Sequence, residues 1–388
     1  MKSEIIFERR NTVVVLYVRL DNLYAFKDFQ LSMTYPKKIV RSSIQNEHLE
    51  GRENFRYKKV NIIMGANASG KTTFGRALMG IFNFLDKKNP TFITEAVHDR
   101  TKESSFTLDL ASKSNNLYRI VGTISPKPDG EYDIEDIELA IRKEAIRAKD
   151  SYESCVKRLE ESPYTPCDHY IQELDRLEDG LTWFFEYPKD GDRTLKLPVN
   201  DKKFPLVLEK ILKALDPSIQ KVEESQDADN AFVIRLQNES VILQDGMSFN
   251  TDRLSSGTKS GVEIAVIASA LLQGHNGFYY CDEKFSYVHS DVEKAVLAVM
   301  VSSIQPNEQL FFTTHNTDIL DINLPKHSFT FLRKDVNDLE HPISCINAAM
   351  LLKRSDDSLK NAVENDLFSS APAVDIIYEL TDLTDSQS

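Results

Sequence analysis

The sequence lacks the features that mark membrane proteins and disulfide-bonded secreted proteins. Its 388 residues contain no run of about eighteen apolar residues, the length that a membrane-spanning helix needs. The first residues, MKSEIIFERR, lack the apolar stretch of a signal peptide. The four cysteines, at positions 155, 167, 281 and 345, show no CxxC pairing, which argues against a disulfide framework and a zinc ribbon. We therefore expect a cytoplasmic protein with no membrane partner.

The chain has little positive charge compared with its negative charge. Lysine and arginine number 47 against 60 aspartates and glutamates, which gives a net charge of -13 at pH 7. This balance opposes non-specific attraction to the phosphate backbone of nucleic acids, so any such contact has to be local. The composition is 41% hydrophobic and 28% charged, which allows a sizeable core and argues against a disordered chain.

Strand and helix patterns alternate along most of the chain, which predicts an α/β fold. VVVLYVRLDNLYAFKDFQLSM contains two β-rich segments, and YKKVNIIMG is a strand that runs into a glycine-rich turn. Between them, the polar stretch over residues 35–57 is predicted to be an exposed loop. After the first helix, SSFTLDLASKSNNLYRIVGTI predicts a β-hairpin. We therefore expect antiparallel strands beside a parallel core.

A change in composition from about Asp136 predicts an inserted pair of helices. Apolar and small residues there are spaced three and four apart, at positions 141, 145, 148, 152, 155 and 159. Two prolines end this helix, and a second one is predicted from His169 towards Trp183, so that an antiparallel pair projects from the catalytic domain. Four segments result: an N-terminal lobe over 1–134, the helical insertion over 135–200, a C-terminal lobe over 201–345 and a helical tail over 346–388.

The segment GANASGKT, from Gly65 to Thr72, has the GxxxxGK[ST] pattern of a phosphate-binding loop, after the strand VNIIM and before a helix. Its glycines let backbone N–H groups approach phosphates, and Lys71 reaches the β- and γ-phosphates of ATP. The Thr72 hydroxyl is predicted to be a ligand for Mg²⁺. The alternative is a glycine-rich turn that matches by chance. The predicted nucleotide-binding residues here are Gly65, Asn67, Ser69, Gly70, Lys71, Thr72 and Thr73.

An apolar strand, FYYCDE, ends in Asp282 and Glu283. The carboxyl edge of a parallel sheet is where nucleotides bind, which makes Asp282 a candidate Mg²⁺ ligand and Glu283 a candidate for orienting or deprotonating the attacking water. A strand that ends in a solvated acidic turn is the alternative. No metal other than Mg²⁺ is proposed, because Cys155, Cys167 and His169 are irregularly spaced and are interpreted as ordinary helix-surface residues.

A third segment, LSSGTKSGVEIAVIASALL, begins an apolar helix and resembles the LSGGQ signature of ABC ATPases. Ser255, Ser256 and Gly257 would present a hydroxyl and backbone N–H groups to an anion at the helix N-terminus. The alternative is a simple Ser-Ser-Gly cap. Further along, the strand LFFTTHNTDIL leads to His315, which resembles the switch histidine that contacts the γ-phosphate; the alternative is a structural histidine.

These four segments occur in the order expected of an ABC ATPase, and Asn67 fits the GxNxSGK loop of ABC and SMC-like proteins. The resemblance implies an ABC ATPase (SMC-head-like) P-loop fold, ATP hydrolysis with Mg²⁺, and a nucleotide site completed by a second copy of the chain. It also makes Tyr24 a weak candidate for stacking on adenine, with core packing as the alternative. A transporter role is disfavoured, since no secure Q-loop glutamine is found and YVHSDV replaces the usual D-loop.

Two segments, DEKFSYVHSDVEKAV and TTHNTDILD, are similar to the compact bacterial ABC ATPases of anti-phage systems such as PARIS, Septu and the OLD-type proteins. This resemblance implies a sensor or regulatory subunit that controls a separate nuclease or toxin encoded nearby, with a phage protein or nucleic acid as trigger. The tail after Asn347 shows no nuclease motif. The alternative is an SMC-like DNA repair or recombination ATPase, which would be expected to carry a long coiled coil.

Overall fold

The computed structural model describes residues 13–39, 42–186, 196–246, 254–274, 276–354 and 357–369, together with residue 377. Within these ranges the strands are β1 Val13–Asp21, β2 Phe29–Ser32, β3 His48–Leu49, β4 Arg52–Arg56, β5 Val60–Met64, β6 Ser104–Ser112, β7 Asn116–Ile124, β8 Ile137–Ala145, β9 Trp183–Glu186, β10 Ile219–Glu224, β11 Ala231–Leu236, β12 Ser240–Gln244, β13 Phe278–Asp282, β14 Gln309–Thr313, β15 Phe329–Lys334 and β16 Ile343–Asn347. The helices are α1 Lys71–Lys87, α2 Thr91–Thr94, α3 Tyr152–Glu161, α4 Tyr170–Leu174, α5 Phe204–Leu215, α6 Ser256–Gln273, α7 Ser290–Ser303, α8 Ala348–Leu351 and α9 Leu359–Glu364. No helix in these ranges is both long and apolar enough to cross a bilayer.

A six-stranded sheet in the order β16-β15-β5-β14-β13-β9 forms the centre of the molecule. Neighbouring strands from β15 to β9 run parallel, and β16 pairs with β15 antiparallel at one edge. Every residue of β5, β13 and β14 is buried, which explains why their sequences read as continuous apolar runs instead of alternating patterns. Because these three strands are parallel neighbours, their carboxyl ends lie side by side at one edge of the sheet.

A second, antiparallel sheet has the order β2-β1-β6-β7-β8. Three further antiparallel strands, β10-β11-β12, pack with α5, and β3 and β4 form a small hairpin. The predicted antiparallel β-subdomain beside a parallel core is thus confirmed.

The two faces of the central sheet belong to different hydrophobic clusters. On one side, Ile63 of β5 packs with Phe74 and Leu78 of α1 and with the apolar face of the antiparallel sheet. On the other side, Ile62 belongs to a cluster that includes Val262 and further residues of α6, together with α5. The alternation along β5 therefore places α1 and α6, which follow the phosphate-loop and signature segments, on opposite faces of the sheet.

The prediction of a helix from about Asp136 is wrong for the first part of that segment. Residues Ile137–Ala145 form the edge strand β8, in which positions 137, 139 and 141 are buried in alternation and pair with β7. The inserted helical pair is short, α3 and α4, and both helices pack against β8 instead of projecting. The remainder of the predicted second helix ends in β9, which joins the central sheet.

The described residues 35–39 and 42–57 contain more regular structure than the predicted exposed loop. This stretch contains the β3–β4 hairpin, and Leu49 and Phe55 are buried. Glu47 is also buried and accepts a hydrogen bond from the ring of His327. Of the predicted helical tail over 346–388, the structure describes α8 and α9, and the positions from 370 onward other than residue 377 lie outside the described residues.

Candidate active site

The phosphate-loop segment connects β5 to α1 with a backbone that only particular residues allow. Gly65, Ala68 and Gly70 have φ values of 155°, 62° and 102°. A Cβ atom on Gly65 would lie 2.4 Å from the carbonyl oxygen of Leu332, so a side chain at this position cannot be accommodated. The glycines of the motif therefore shape the loop. Asn67 is exposed on it, and Thr73 is half-buried in the first turn of α1.

Lys71 lies inside the loop with its side chain 3% exposed. Its Nζ donates to the carbonyl oxygens of Gly65 at 2.7 Å and Ala66 at 3.0 Å, and it forms an ion pair with Glu283 Oε1 at 3.1 Å. The loop thus holds an ammonium group beside the carboxylate that follows β13. An ammonium at this place in the loop can compensate phosphate charge once it exchanges Glu283 for the anion.

The loop also contains a polar atom that a phosphate would satisfy. The hydroxyl of Ser69 is buried and has no hydrogen-bond partner among the described residues. A buried hydroxyl left without a partner is costly, and a phosphate oxygen in the loop would offset this cost by accepting its hydrogen bond. Together with the glycine-shaped backbone and Lys71, it shows that the residues present fit the phosphates of a nucleotide.

Thr72, Asp282 and Thr313 form a connected group at the carboxyl edge of the sheet. The hydroxyls of Thr72 and Thr313 donate to the two oxygens of Asp282 at 2.6 Å and 2.5 Å. Burial raises the pKa of Asp282, and these two hydrogen bonds oppose the shift. A threonine hydroxyl and one carboxylate, completed by substrate phosphate and water, are the ligands that Mg²⁺ uses at phosphate sites. Thr72 and Asp282 would hold this ion, which neutralises charge on the β- and γ-phosphates when bound.

Glu283 has a left-handed backbone, with φ of 45°. Its N–H donates to the hydroxyl of Thr313 at 3.1 Å, which fixes the turn, and its side chain is 22% exposed, unlike the fully buried Asp282. A non-glycine residue in this conformation is strained, and such strain is concentrated at functional positions. Asp282, the predicted Mg²⁺ ligand, is therefore fully buried, whereas Glu283, which is predicted to act on the attacking water, is partly exposed.

The switch segment is organised by a carboxylate that sequence reasoning missed. His315 itself is exposed and lies two residues beyond the end of β14. On either side of it, the Thr314 hydroxyl and the Asn316 amide donate to the two oxygens of Glu293 at 2.8 Å and 2.6 Å. Burial raises the pKa of Glu293, against the effect of these bonds. A signal was present, since Glu293 occupies a position of α7 that lies in line with the buried Val296 and Met300.

The signature segment caps α6 as its sequence predicts. The Ser255 hydroxyl accepts from the N–H of Thr258 at 3.1 Å, and Ser255 and Ser256 are exposed. A Cβ on Gly257 would lie 3.1 Å from the carbonyl of Tyr287, in the turn after Glu283. Within the described part of one chain, no hydrogen bond or ion pair joins these signature residues to the phosphate loop.

Tyr24 is not brought into contact with the phosphate loop by any described hydrogen bond. It has φ of 50°, is half-buried, and its N–H donates to the Ala96 carbonyl. Burial raises the pKa of its phenol. It packs against the cluster that contains α1, as the core-packing alternative expects.

Lys284 is a further residue that sequence reasoning missed. Its side chain is 2% exposed and forms ion pairs with Glu186 at 3.0 Å and Glu263 at 2.9 Å. These partners belong to β9 and α6, so the residue after Glu283 connects the helix of the signature segment to the central sheet. The local sequence Asp282–Glu283–Lys284 does not indicate this role, because both partners of Lys284 are distant in sequence.

Comparison with known proteins gives a family and a fold. The model of the family described as "AAA domain, putative AbiEii toxin, Type IV TA system" matches residues 60–321.

Among solved structures, the chain is similar to an Smc head bound to the C-winged helix domain of ScpA. The two share 12% identity over 87% of this chain and 99% of that chain, with a TM-score of 0.50. It is similar to the Smc head domain with an extended coiled coil bound to the C-terminal domain of ScpA derived from Pyrococcus furiosus, with 11% identity, coverages of 88% and 98%, and a TM-score of 0.50. No curated protein sequence matches the chain. The likeness confirms the predicted SMC-head-like P-loop fold.

Proposed function

The chain belongs to this AAA domain family, and from that premise we propose that it binds ATP with Mg²⁺ and hydrolyses it to ADP and phosphate. The observation that carries the proposal is the convergence of two pairs at one sheet edge: Lys71 with Glu283, and Thr72 with Asp282. A phosphate-binding cation, an Mg²⁺ ligand pair and a carboxylate for water are the parts that phosphoryl transfer to water requires.

The ion pair between Lys71 and Glu283 indicates how the site changes when nucleotide binds. The β- and γ-phosphates are anions that compete with Glu283 for the Lys71 ammonium. Glu283 then loses its partner and becomes available to orient and deprotonate the attacking water. His315, exposed at the end of β14, is in our proposal the sensor of the γ-phosphate, and Glu293 positions the residues on either side of it.

The test is the rate of ATP turnover in the Glu283→Gln variant. We expect a decrease of about 100-fold or more with Mg²⁺-ATP binding retained, because the amide keeps the shape but cannot accept a proton. The Lys71→Ala variant is the companion, and it should lose ATP binding itself. Wild-type turnover in Glu283→Gln would contradict the catalytic role, and normal ATP affinity in Lys71→Ala would contradict the phosphate-loop assignment.

We further propose that a second copy of the chain completes the site. Ser255, Ser256 and Gly257 lie at the start of α6, on the face of the sheet opposite to α1. They have no described bond to the phosphate loop of their own chain, whereas their exposed hydroxyls and helix N-terminus suit a γ-phosphate. In the dimer, Lys71 of one copy and the signature segment of the other would bind the same nucleotide.

As to biological role, we propose a regulatory ATPase of a bacterial anti-phage system that controls a separate nuclease or toxin. The support is the family description, which names a toxin of a toxin–antitoxin system, together with the segments from Asp282 to Val296 and from Thr313 to Asp321 that are similar to defence ATPases. The test is co-expression with the product of the neighbouring gene. A complex that depends on ATP, and an effector activity that changes in the Glu283→Gln background, are expected. A membrane permease as neighbour would contradict the proposal.

The second candidate is an SMC-like DNA repair or recombination ATPase, which the likeness to Smc heads favours. It differs in requiring direct binding to DNA. The two candidate functions are separated by measuring binding to duplex DNA and its stimulation of ATP turnover. The salt concentration is varied between about 50 and 200 mM, the range over which phosphate contacts weaken. Stimulation by DNA that persists at the higher salt favours repair, and its absence favours the regulatory role.

A further inference from the structure

A cavity of about 570 Å³ lies away from the nucleotide site, where the edge strands of the two large sheets meet. Its walls come from β1 and β2 of the antiparallel sheet, from the segment after β2, and from β16 and α8. None of its lining residues belongs to the phosphate loop, the signature or the switch segment. The volume is in the range of pockets that bind small molecules.

Lys58 is the buried cation of this cavity. The residue is 6% exposed, and its Nζ donates to the Ser32 carbonyl oxygen at 2.7 Å, the one hydrogen bond of this amine among the described residues. No carboxylate of the described chain forms an ion pair with it. A buried ammonium normally has a carboxylate partner, because the charge is costly to remove from water. Two of its three donors thus remain for another group.

Two further lysines line the cavity, and no acid does. Lys37 and Lys353 share the lining with Lys58, and neither forms an ion pair with a described residue. The lining contains no aspartate or glutamate, although the chain has 60 acids against 47 basic residues. Three positive charges without a negative one create a local potential that attracts an anion.

The remaining lining has a different character. Tyr17, Tyr35, Leu31 and Met350 supply aromatic and aliphatic surface, and a few hydroxyl and amide groups lie among them. A free inorganic anion would leave this surface unused. A molecule with an anionic end and a non-polar body would use both parts of the cavity.

We propose that this cavity binds a phosphate monoester of a small organic molecule, with its phosphate at Lys58, Lys37 and Lys353 and its non-polar part against Tyr17 and Met350. A phosphate monoester carries about -1.5 to -2 charges at pH 7, which matches three cations better than one carboxylate does. The site is independent of the ATPase activity proposed above, because it shares no residue with the nucleotide site.

The amine of Lys58 offers a direct test. Burial lowers its pKa to about 8, and the Cys345 thiol beside it opposes that shift; the other titratable groups that line the cavity are Lys37, Lys353, Tyr17 and Tyr35. Near pH 8 a large fraction of the amine is neutral and able to react with an aldehyde. Pyridoxal 5′-phosphate is a suitable probe, because its phosphate can be held by Lys37 and Lys353 while its aldehyde carbon bonds to the neutral Lys58 Nζ with loss of water. Borohydride then reduces the imine to a stable secondary amine.

The full chain is incubated with the probe, reduced, and mapped by peptide mass spectrometry. We expect Lys58 to be labelled at least about 10-fold more than with pyridoxal, which lacks the phosphate, and inorganic phosphate should compete. Mg²⁺-ATP should protect Lys71 but not Lys58, so failure of this proposal and failure of the nucleotide site are distinguishable. The variants Lys37→Ala and Lys353→Ala, both at solvent-accessible positions, should each reduce labelling of Lys58 several-fold.

Three results would overturn the proposal. In the first, Lys58 is labelled no more than the exposed lysines. In the second, pyridoxal labels Lys58 as much as pyridoxal 5′-phosphate does. In the third, ATP protects Lys58 at the concentration that protects Lys71. Lys58→Arg, which retains the positive charge, serves as the control for the assignment of the labelled peptide.

Discussion

Lys71, Lys284 and Lys58 are all nearly fully buried, but their amines meet different partners. Lys71 contacts two carbonyl oxygens and Glu283, and Lys284 contacts two carboxylates. Lys58 contacts a single carbonyl oxygen. An ammonium without a counter-ion is destabilising in the interior, and in Lys58 this cost coincides with a position in the wall of a cavity.

The pH dependence of stability should reveal this cost. Burial lowers the folded-state pKa of Lys58 to about 8, whereas an unfolded lysine has a pKa of about 10.4. Between these values the unfolded state binds more protons, so this residue makes the wild type more stable as pH rises. At pH 7 both states are protonated and the full cost is present.

We therefore expect the advantage of Lys58→Met over wild type, measured as free energy of unfolding in urea, to shrink by about 2 kcal/mol between pH 7 and pH 9.5. The comparison between the two proteins removes the contribution of the other titrating groups. Lys37→Met, at the rim of the same cavity, is the matched control and should show no such change. A pH-independent difference would mean that Lys58 is not held charged in the interior.

At the scale of elements, Lys284 joins three parts of the catalytic core. It follows β13, and its partners Glu186 and Glu263 belong to β9 and α6. Removal of the cation leaves two carboxylates close together in a poorly solvated place. The pairing therefore connects the middle of α6 to the strand that ends in Asp282.

Lys284→Met should lower the free energy of unfolding by about 3 kcal/mol, as is typical when one partner of a buried ion pair is removed. Lys284→Arg keeps the positive charge, so its free energy of unfolding should decrease less. Urea unfolding at pH 7 measures both. If the two variants are equally stable, packing and not charge explains the position of Lys284.

Strands β5, β13 and β14 of the central sheet could be predicted from sequence, because complete burial makes them largely apolar runs, and β5 and β13 lead directly into motif residues. β8 could not, since the spacing of Ile141 and Ala145 fits a helix as well as a strand, and the charged residues between them are good helix formers. The antiparallel pairing of this segment with β7 makes it a strand. The alternation of Ile137, Leu139 and Ile141 was the available signal.

In the site, contacts between residues of recognisable motifs were predicted, and contacts that involve residues outside those motifs were not. Lys71, Thr72, Asp282 and Glu283 lie together as expected. By contrast, Glu293 and Lys284 act through partners that only the fold brings near, and no local pattern encodes such partners. The functional roles of all the candidate site residues, those of the phosphate loop and of the acidic pair included, stay predictions.

At the scale of the whole molecule, the shared nucleotide site predicts association that depends on ATP. With Glu283→Gln, ATP should persist and lower the dimer dissociation constant by about 10-fold or more, because each nucleotide adds contacts to both subunits. ADP should do so less well. Analytical sedimentation measures the change.

The double variant Lys71→Ala with Glu283→Gln is the matched control and should remain unchanged by ATP. A Glu283→Gln protein whose association is the same with and without ATP would remove the main support for a shared site, whether it is a monomer or a preformed oligomer.

The position of β5 in the central sheet has a consequence for synthesis of the protein. β5 ends at Met64, but its two neighbours in the sheet, β14 and β15, begin at Gln309 and Phe329. At about 5–20 residues per second, a ribosome needs roughly 12–50 s to reach the first of them. During that interval the apolar strand VNIIM has no sheet to join, and the Leu332 carbonyl that packs over Gly65 has not been made. ATP therefore cannot template the folding of this site until the ribosome has synthesised the chain through β15.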